Sequence, residues 1–182
     1  MAAPLDMEFE ELMEAASSVL ATQESMSVVY EANDYVNQAL LLRPLDESAW
    51  LLKSQVMSSL EDDPSALAAA EMALRRAPRD AEVHYTRAAV LADMERFPEA
   101  LRAVQRSFRY LDLEDAWLEE DLFFLKGALL DVMGREEEAV AVFEQGLGQH
   151  PDSEILKGGL EPLRRERMRR HLRIIDGGKA RL

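Results

Sequence analysis

Three histidines, His84, His150 and His171, are the side chains of this sequence best suited to ligating a metal or moving a proton. They stand far apart, and none pairs with a second histidine or a carboxylate at zinc-binding spacing backed by a third ligand. Cysteine is absent, which removes thiolate metal sites, disulfides and a cysteine nucleophile together. The runs Glu61-Asp62-Asp63 and Glu136-Glu137-Glu138 offer oxygens to a hard cation, but such a site needs several converging ligands. Both runs fall where helices are expected to start, and carboxylates there meet the helix dipole favourably. Gly146-Leu147-Gly148 follows an expected helix rather than a strand, so it is not a phosphate-cradling loop. The chain therefore reads as a non-enzyme, with no metal and no cofactor assigned.

The charge is more telling. Formal net charge is −14, yet residues 157–182 hold nine Lys/Arg against Glu161, Glu166 and Asp176, which leaves about −20 on the first 156 residues. An acidic body repels phosphate backbones, so nucleic acid is an unfavourable partner for it. Within Leu163–Arg173, six of eleven residues are arginine: Arg164, Arg165, Arg167, Arg169, Arg170 and Arg173. Three readings stand for this basic tail: a solvated capping helix, a latch onto acidic protein surface, or a contact to an anionic polymer or membrane. The apolar stripe Met168, Leu172, Ile175 favours packing on protein.

These residues must be carried by helices. Ala, Leu, Glu and Arg dominate the 182 residues, while Gly (8) and Pro (7) are scarce. No stretch approaches the roughly 18 apolar residues of a membrane span, and the acidic N-terminal segment lacks the basic start of a secretory signal. A cytoplasmic protein is expected. Residues 7–22 carry Phe9, Leu12, Ala16, Val19 and Leu20 at helical spacing and read as an opening helix, preceded by an acidic lead-in within 1–12. Residues 154–182 read as a closing cap with the basic tail, broken near Gly158-Gly159 and Pro162.

Between them the sequence repeats. Ala39-Leu40-Leu41-Leu42-Arg43-Pro44 and Ala73-Leu74-Arg75-Arg76-Ala77-Pro78 are 34 residues apart; so are Ala32, Ala66 and Ala100, and Ala139 follows after 39. Such a unit resembles the tetratricopeptide repeat family, a helix–turn–helix motif of about 34 residues. The phasing is 13–46 (degenerate), 47–80, 81–114 and 120–153. Trp50, Ser54, Ala66, Ala73 and Pro78 match the second unit, His84, Ala88, Phe97, Ala100 and Ser107 the third, and Phe123, Gly127, Gly134, Ala139, Phe143, Gly146 and Pro151 the fourth. Lys53, Arg87 and Lys126 stand where leucine is usual, and Asp112 where proline is. The resemblance implies an all-α fold, a right-handed α-solenoid of about four helix pairs with a C-terminal capping helix.

It also implies a function: an adaptor, scaffold or small chaperone that binds a peptide segment or a partner protein through the concave groove lined by the first helix of each pair. Carried over residue by residue, the floor is Ser48, Leu51, Gln55 and Ser58, then Glu82, Tyr85, Ala89 and Ala92, then Asp121, Phe124, Ala128 and Asp131. Relatives that grip a chaperone's terminal carboxylate use cations at these positions. None stands here, so a partner with apolar anchors and basic flanks is expected instead. In a second reading the same side chains only pack neighbouring first helices together.

The insertion over 112–119 is expected to extend the next helix backwards from an Asp115 N-cap, which puts Trp117 on the face of Phe124. Trp117 is then a candidate anchor for a partner or a filler of the irregular repeat. Other readings of the whole chain are a homo-oligomeric assembly unit, a chaperone similar to the class II chaperones of type III secretion, and, least favoured, a nucleic-acid-binding regulator acting through the arginines.

Overall fold

In a computed structural model, which describes residues 4–22, 25–112 and 115–179, the chain folds into helices and no strand among those residues. In order they are α1 (Pro4–Thr22), α2 (Met26–Leu42), α3 (Glu47–Ser59), α4 (Asp63–Arg76), α5 (Ala81–Asp93), α6 (Phe97–Tyr110), a 3-10 turn (Ala116–Leu118), α7 (Glu119–Val132), α8 (Glu136–Gln149) and α9 (Glu154–Lys179). They form two compact units, residues 1–112 and 113–182. In the first, three antiparallel pairs, α1/α2, α3/α4 and α5/α6, follow one another; in the second, α7, α8 and α9 pack mutually.

The period sets the packing. Ala32, Ala66, Ala100 and Ala139 are all fully buried, as are Ala39, Ala73 and Ser107. Small side chains at these crossings let the two helices of a pair approach closely, and larger neighbours such as Val36, Val56, Leu91 and Phe143 fill the space beside them. Buried hydroxyls need partners. Ser54 Oγ donates to the carbonyl of Ala66 at 2.8 Å, and Ser107 Oγ to that of Ala81 at 2.6 Å.

Helix ends repeat too. Asp46, Asp62 and Asp80 each accept from a backbone N–H three residues on (Ala49, Ser65 and Val83), which caps α3, α4 and α5. At the start of α6 and of α8 an arginine replaces that device: Arg96 forks onto Glu99 and Arg135 onto Glu138, all four bonds between 2.7 and 2.8 Å. The first pair is closed by Arg43, which reaches Asp6 at 2.7 Å and Glu10 at 3.2 Å while its guanidinium lies 4.0 Å over the Phe9 ring.

Three expectations need correction. Helix α1 covers Pro4–Thr22, so the acidic lead-in is helical over residues 4–12. The insertion does not lengthen an α-helix: residues 116–118 wind as a 3-10 turn, and Asp115 makes no side-chain cap to it. The tighter winding, about three residues per turn against 3.6, removes the simple seven-residue register between Trp117 and Phe124. Finally, α9 runs unbroken through Gly158-Gly159 with Pro162 inside it. Pro162 offers no N–H to the carbonyl of Gly158, but both residues are exposed, so water can serve that carbonyl.

Candidate functional site

In the first unit a cavity of about 280 Å³ opens where α1, α3 and α5 come together. Met13 and Ser17 come from α1, Glu47, Ser48, Leu51, Leu52 and Gln55 from α3, and Glu82 and Val83 from α5, with Asp80 just before that helix. Ser48, Leu51, Gln55 and Glu82 are floor positions expected from the repeat. The other lining residues are not.

Met13 and Ser17 lie in the degenerate first repeat, whose floor the motif left blank. Ser17 is nonetheless spaced 34 residues before Leu51, and that interval was the available signal. Asp80 is the N-cap of α5 and Glu47 the first residue of α3, so both carboxylates stand at helix starts. Asp80 keeps its capping bond to the N–H of Val83 at 3.0 Å.

Chemically the cavity has two halves. Met13, Leu51, Leu52 and Val83 supply apolar surface; Glu47, Asp80 and Glu82 supply carboxylates, and the described lining holds no cation. An arrangement of this kind suits a long side chain with an apolar stem and a positive end.

The remaining expected floor residues of this unit lie outside the cavity lining. Ser58 donates to Asp93 at 3.4 Å and so ties α3 to α5. Asp93 is exposed, and its pKa is raised from its ordinary value by partial desolvation first and then by the charge of Asp63. Tyr85 and Ala89 are half-buried on α5.

In the second unit Phe124 is 38% exposed, with its ring 6.2 Å from that of Phe143, so part of its surface serves internal packing. Trp117 is 60% exposed and Asp131 lies exposed near the end of α7. The basic tail meets carboxylates of its own unit: Arg164 reaches Glu144 at 2.7 Å, Arg165 reaches Glu161 at 3.2 Å, and Arg169 lies 4.0 Å from Glu166. The side chains of Arg167, Arg170 and Arg173, and of Leu172 and Ile175, lie outside the described residues. His150, at the end of α8, pairs with Glu119 at 3.1 Å, and Ser153, just before α9, donates to Glu120; the two contacts fasten the α8–α9 connection to α7. No cluster that would hold a metal is present among the described residues, and no described helix is long and apolar enough to cross a membrane.

The repeat geometry places the chain among known folds. Neither a protein-family model nor a curated protein sequence matches it. Solved structures do. PilF of Pseudomonas aeruginosa superposes with a TM-score of 0.77 at 17% identity, covering 91% of this chain and 72% of PilF. TTC0263, a tetratricopeptide protein of Thermus thermophilus, gives 0.67 at 21% identity over 79% of this chain and 77% of its own. YrrB, described as a tetratricopeptide protein with an unusual peptide-binding site, gives 0.63 at 20% identity over 92% and 86%. The fold is the tetratricopeptide α-solenoid.

Proposed function

We propose that this chain is a protein-interaction adaptor whose first unit grips a partner segment by one basic residue, lysine or arginine, seated in the cavity between α1, α3 and α5. The observation that carries this reading is the pairing of apolar surface from Met13, Leu51, Leu52 and Val83 with the carboxylates of Glu47, Asp80 and Glu82 around one recess. A basic side chain buries its aliphatic stem against the first set and keeps its charged end at the second. The same recess would serve a scaffold or a small chaperone, since both hold an extended segment of another protein. The peptide site named for YrrB, on the same fold, lends support by analogy.

Ion pairs from Arg164, Arg165 and Arg169 to carboxylates of their own unit support the capping role for the tail over a free anion-seeking one. The adaptor reading is tested by fluorescence anisotropy with peptides of one scaffold sequence bearing arginine, lysine, norleucine or glutamate at the centre. Arginine and lysine peptides are expected to bind tightest. Leu51→Asp and the pair Glu47→Gln plus Glu82→Gln should each weaken them roughly tenfold. Equal affinity for all four peptides, or indifference to both variants, sinks the reading.

A further inference from the structure

A second recess, of about 110 Å³, lies on the first unit between Arg87 of α5 and Glu99, Arg102, Ala103 and Arg106 of α6. Its charges do not cancel. Glu71 already accepts from Arg87, at 3.1 and 3.2 Å, and Glu99 is forked by Arg96. Arg102 and Arg106 are exposed and make no ion pair within 4 Å among the described residues; Arg102 acts on Glu99 only through its field, after the Arg96 fork. The two arginines are four residues apart on α6, so their side chains rise from one face a turn apart, an arrangement in which like charges disfavour the helix. In a chain with 35 acidic residues against 21 basic ones, these two cations stand side by side at one recess, with Arg87 beside them.

The positive field of this patch reaches inward. The imidazolium of buried His84 is disfavoured by burial first; the hydrogen bond to Pro78 opposes this, and Arg106 and Arg87 add to it.

We infer that Arg102 and Arg106, beside the half-buried Arg87, form a second interaction site that takes an acidic segment of a partner protein with two carboxylates one helical turn apart. Charge complementarity selects this occupant. Neither guanidinium is engaged in an ion pair within 4 Å among the described residues, although Glu99 feels the charge of Arg102, and each matches one carboxylate by its planar fork. A polyphosphate backbone is a poorer match, because its charge continues past the recess onto a body that is strongly acidic. The site does not depend on the basic-residue cavity, with which it shares no lining residue.

The test is anisotropy of the full chain with a labelled helical peptide carrying glutamates four residues apart, its glutamine counterpart, and a short oligonucleotide. Saturable, salt-sensitive binding of the glutamate peptide is expected, with a roughly tenfold loss in Arg102→Gln plus Arg106→Gln and no change in Leu51→Asp. Both arginines are exposed, so the double variant is expected to fold, with circular dichroism as the check. Lack of saturable binding by the glutamate peptide, equal affinity in the double variant, or tighter binding of the oligonucleotide would overturn the inference.

Discussion

His84 Nε2 lies 3.1 Å from the carbonyl oxygen of Pro78, the proline that ends the preceding repeat. One repeat earlier Trp50 does the same, its indole N–H donating to the carbonyl of Pro44 at 2.9 Å. The two rings are spaced by 34 residues and satisfy the same backbone group, left open because the chain turns at proline. A carbonyl only accepts, so the His84 proton is on Nε2. Nδ1 is then a buried lone pair with no hydrogen-bond partner, and the ring is stacked 5.4 Å from Tyr110.

A second proton on that ring would be buried without an acceptor, and burial holds the His84 pKa below its ordinary value. The unfolded chain, by contrast, takes up the proton at about pH 6.5. Between those values the unfolded state binds more protons, so stability is full above the unfolded pKa and falls as pH drops through it. Urea midpoints measured between about pH 7.5 and 5.5 should decline in the native sequence. His84→Gln, which keeps a donor but does not titrate, should be less stable at neutral pH and lose most of that slope. An unchanged slope would place the pH dependence elsewhere.

Glu61 and Glu95 adopt φ of 58°, and Gly134 takes φ of 73° at the matching place in its repeat. All three sit just after a first helix, where a left-handed residue lets the next N–H reach back: Asp62 to Met57 at 3.0 Å, Arg96 to Leu91 at 2.8 Å, Arg135 to Leu130 at 2.8 Å. A side chain pays about 1 kcal/mol for that conformation and glycine does not. Glu61→Gly and Glu95→Gly should each therefore raise stability by roughly 0.5 kcal/mol, and Gly134→Ala should lower it by about 1 kcal/mol. Chemical denaturation of the three variants checks the sign.

Lys53 and Arg87, the cations standing where the repeat usually has leucine, both reach back to the second helix of the preceding pair. Lys53 donates to Asn33 and, at 2.7 Å, to Asn37; Arg87 pairs with Glu71 at 3.1 Å. Burial lowers the pKa of Lys53, against the attraction of Asp34 and Asp62, and its two acceptors are neutral amides. Lys53→Leu is expected to be within about 0.5 kcal/mol of neutral, whereas Arg87→Leu leaves Glu71 unpaired and should cost about 1 kcal/mol. Equal effects would show that partner charge does not matter at this position.

The fold was legible because a period of 34 in small residues is enforced by close helix crossings, where those side chains are fully buried, while the prolines that end the second helices are exposed. The cavity was half legible. Leu51 and Gln55 are at floor positions, but Met13 comes from a repeat whose motif has decayed and Asp80 from a cap, whose role the motif does not encode. Pro162 breaks helices in general but not this one, because exposed to water it interrupts one hydrogen bond and not the helix, and its exposure is not legible in the sequence.

Phe143, on α8, is where the second unit leaves least room. A Cβ on Gly127 of α7 would lie 2.5 Å from its ring, and so would one on Gly159 of α9, so the ring sits between two helices that each yield a side chain to it. The ring is buried in a packed core and cannot retreat cheaply. Gly127→Ala and Gly159→Ala should each cost about 1–3 kcal/mol, overriding the roughly 1 kcal/mol that alanine gains over glycine in a helix. Gly158→Ala, one residue away with nothing within 4 Å, should instead keep that gain and stabilise. Phe143→Leu supplies the check: it opens a void in the native sequence and is destabilising there, but combined with Gly127→Ala it should cost less than the two changes summed. Strict additivity in that double-mutant cycle would mean that the glycine and the ring do not share the space.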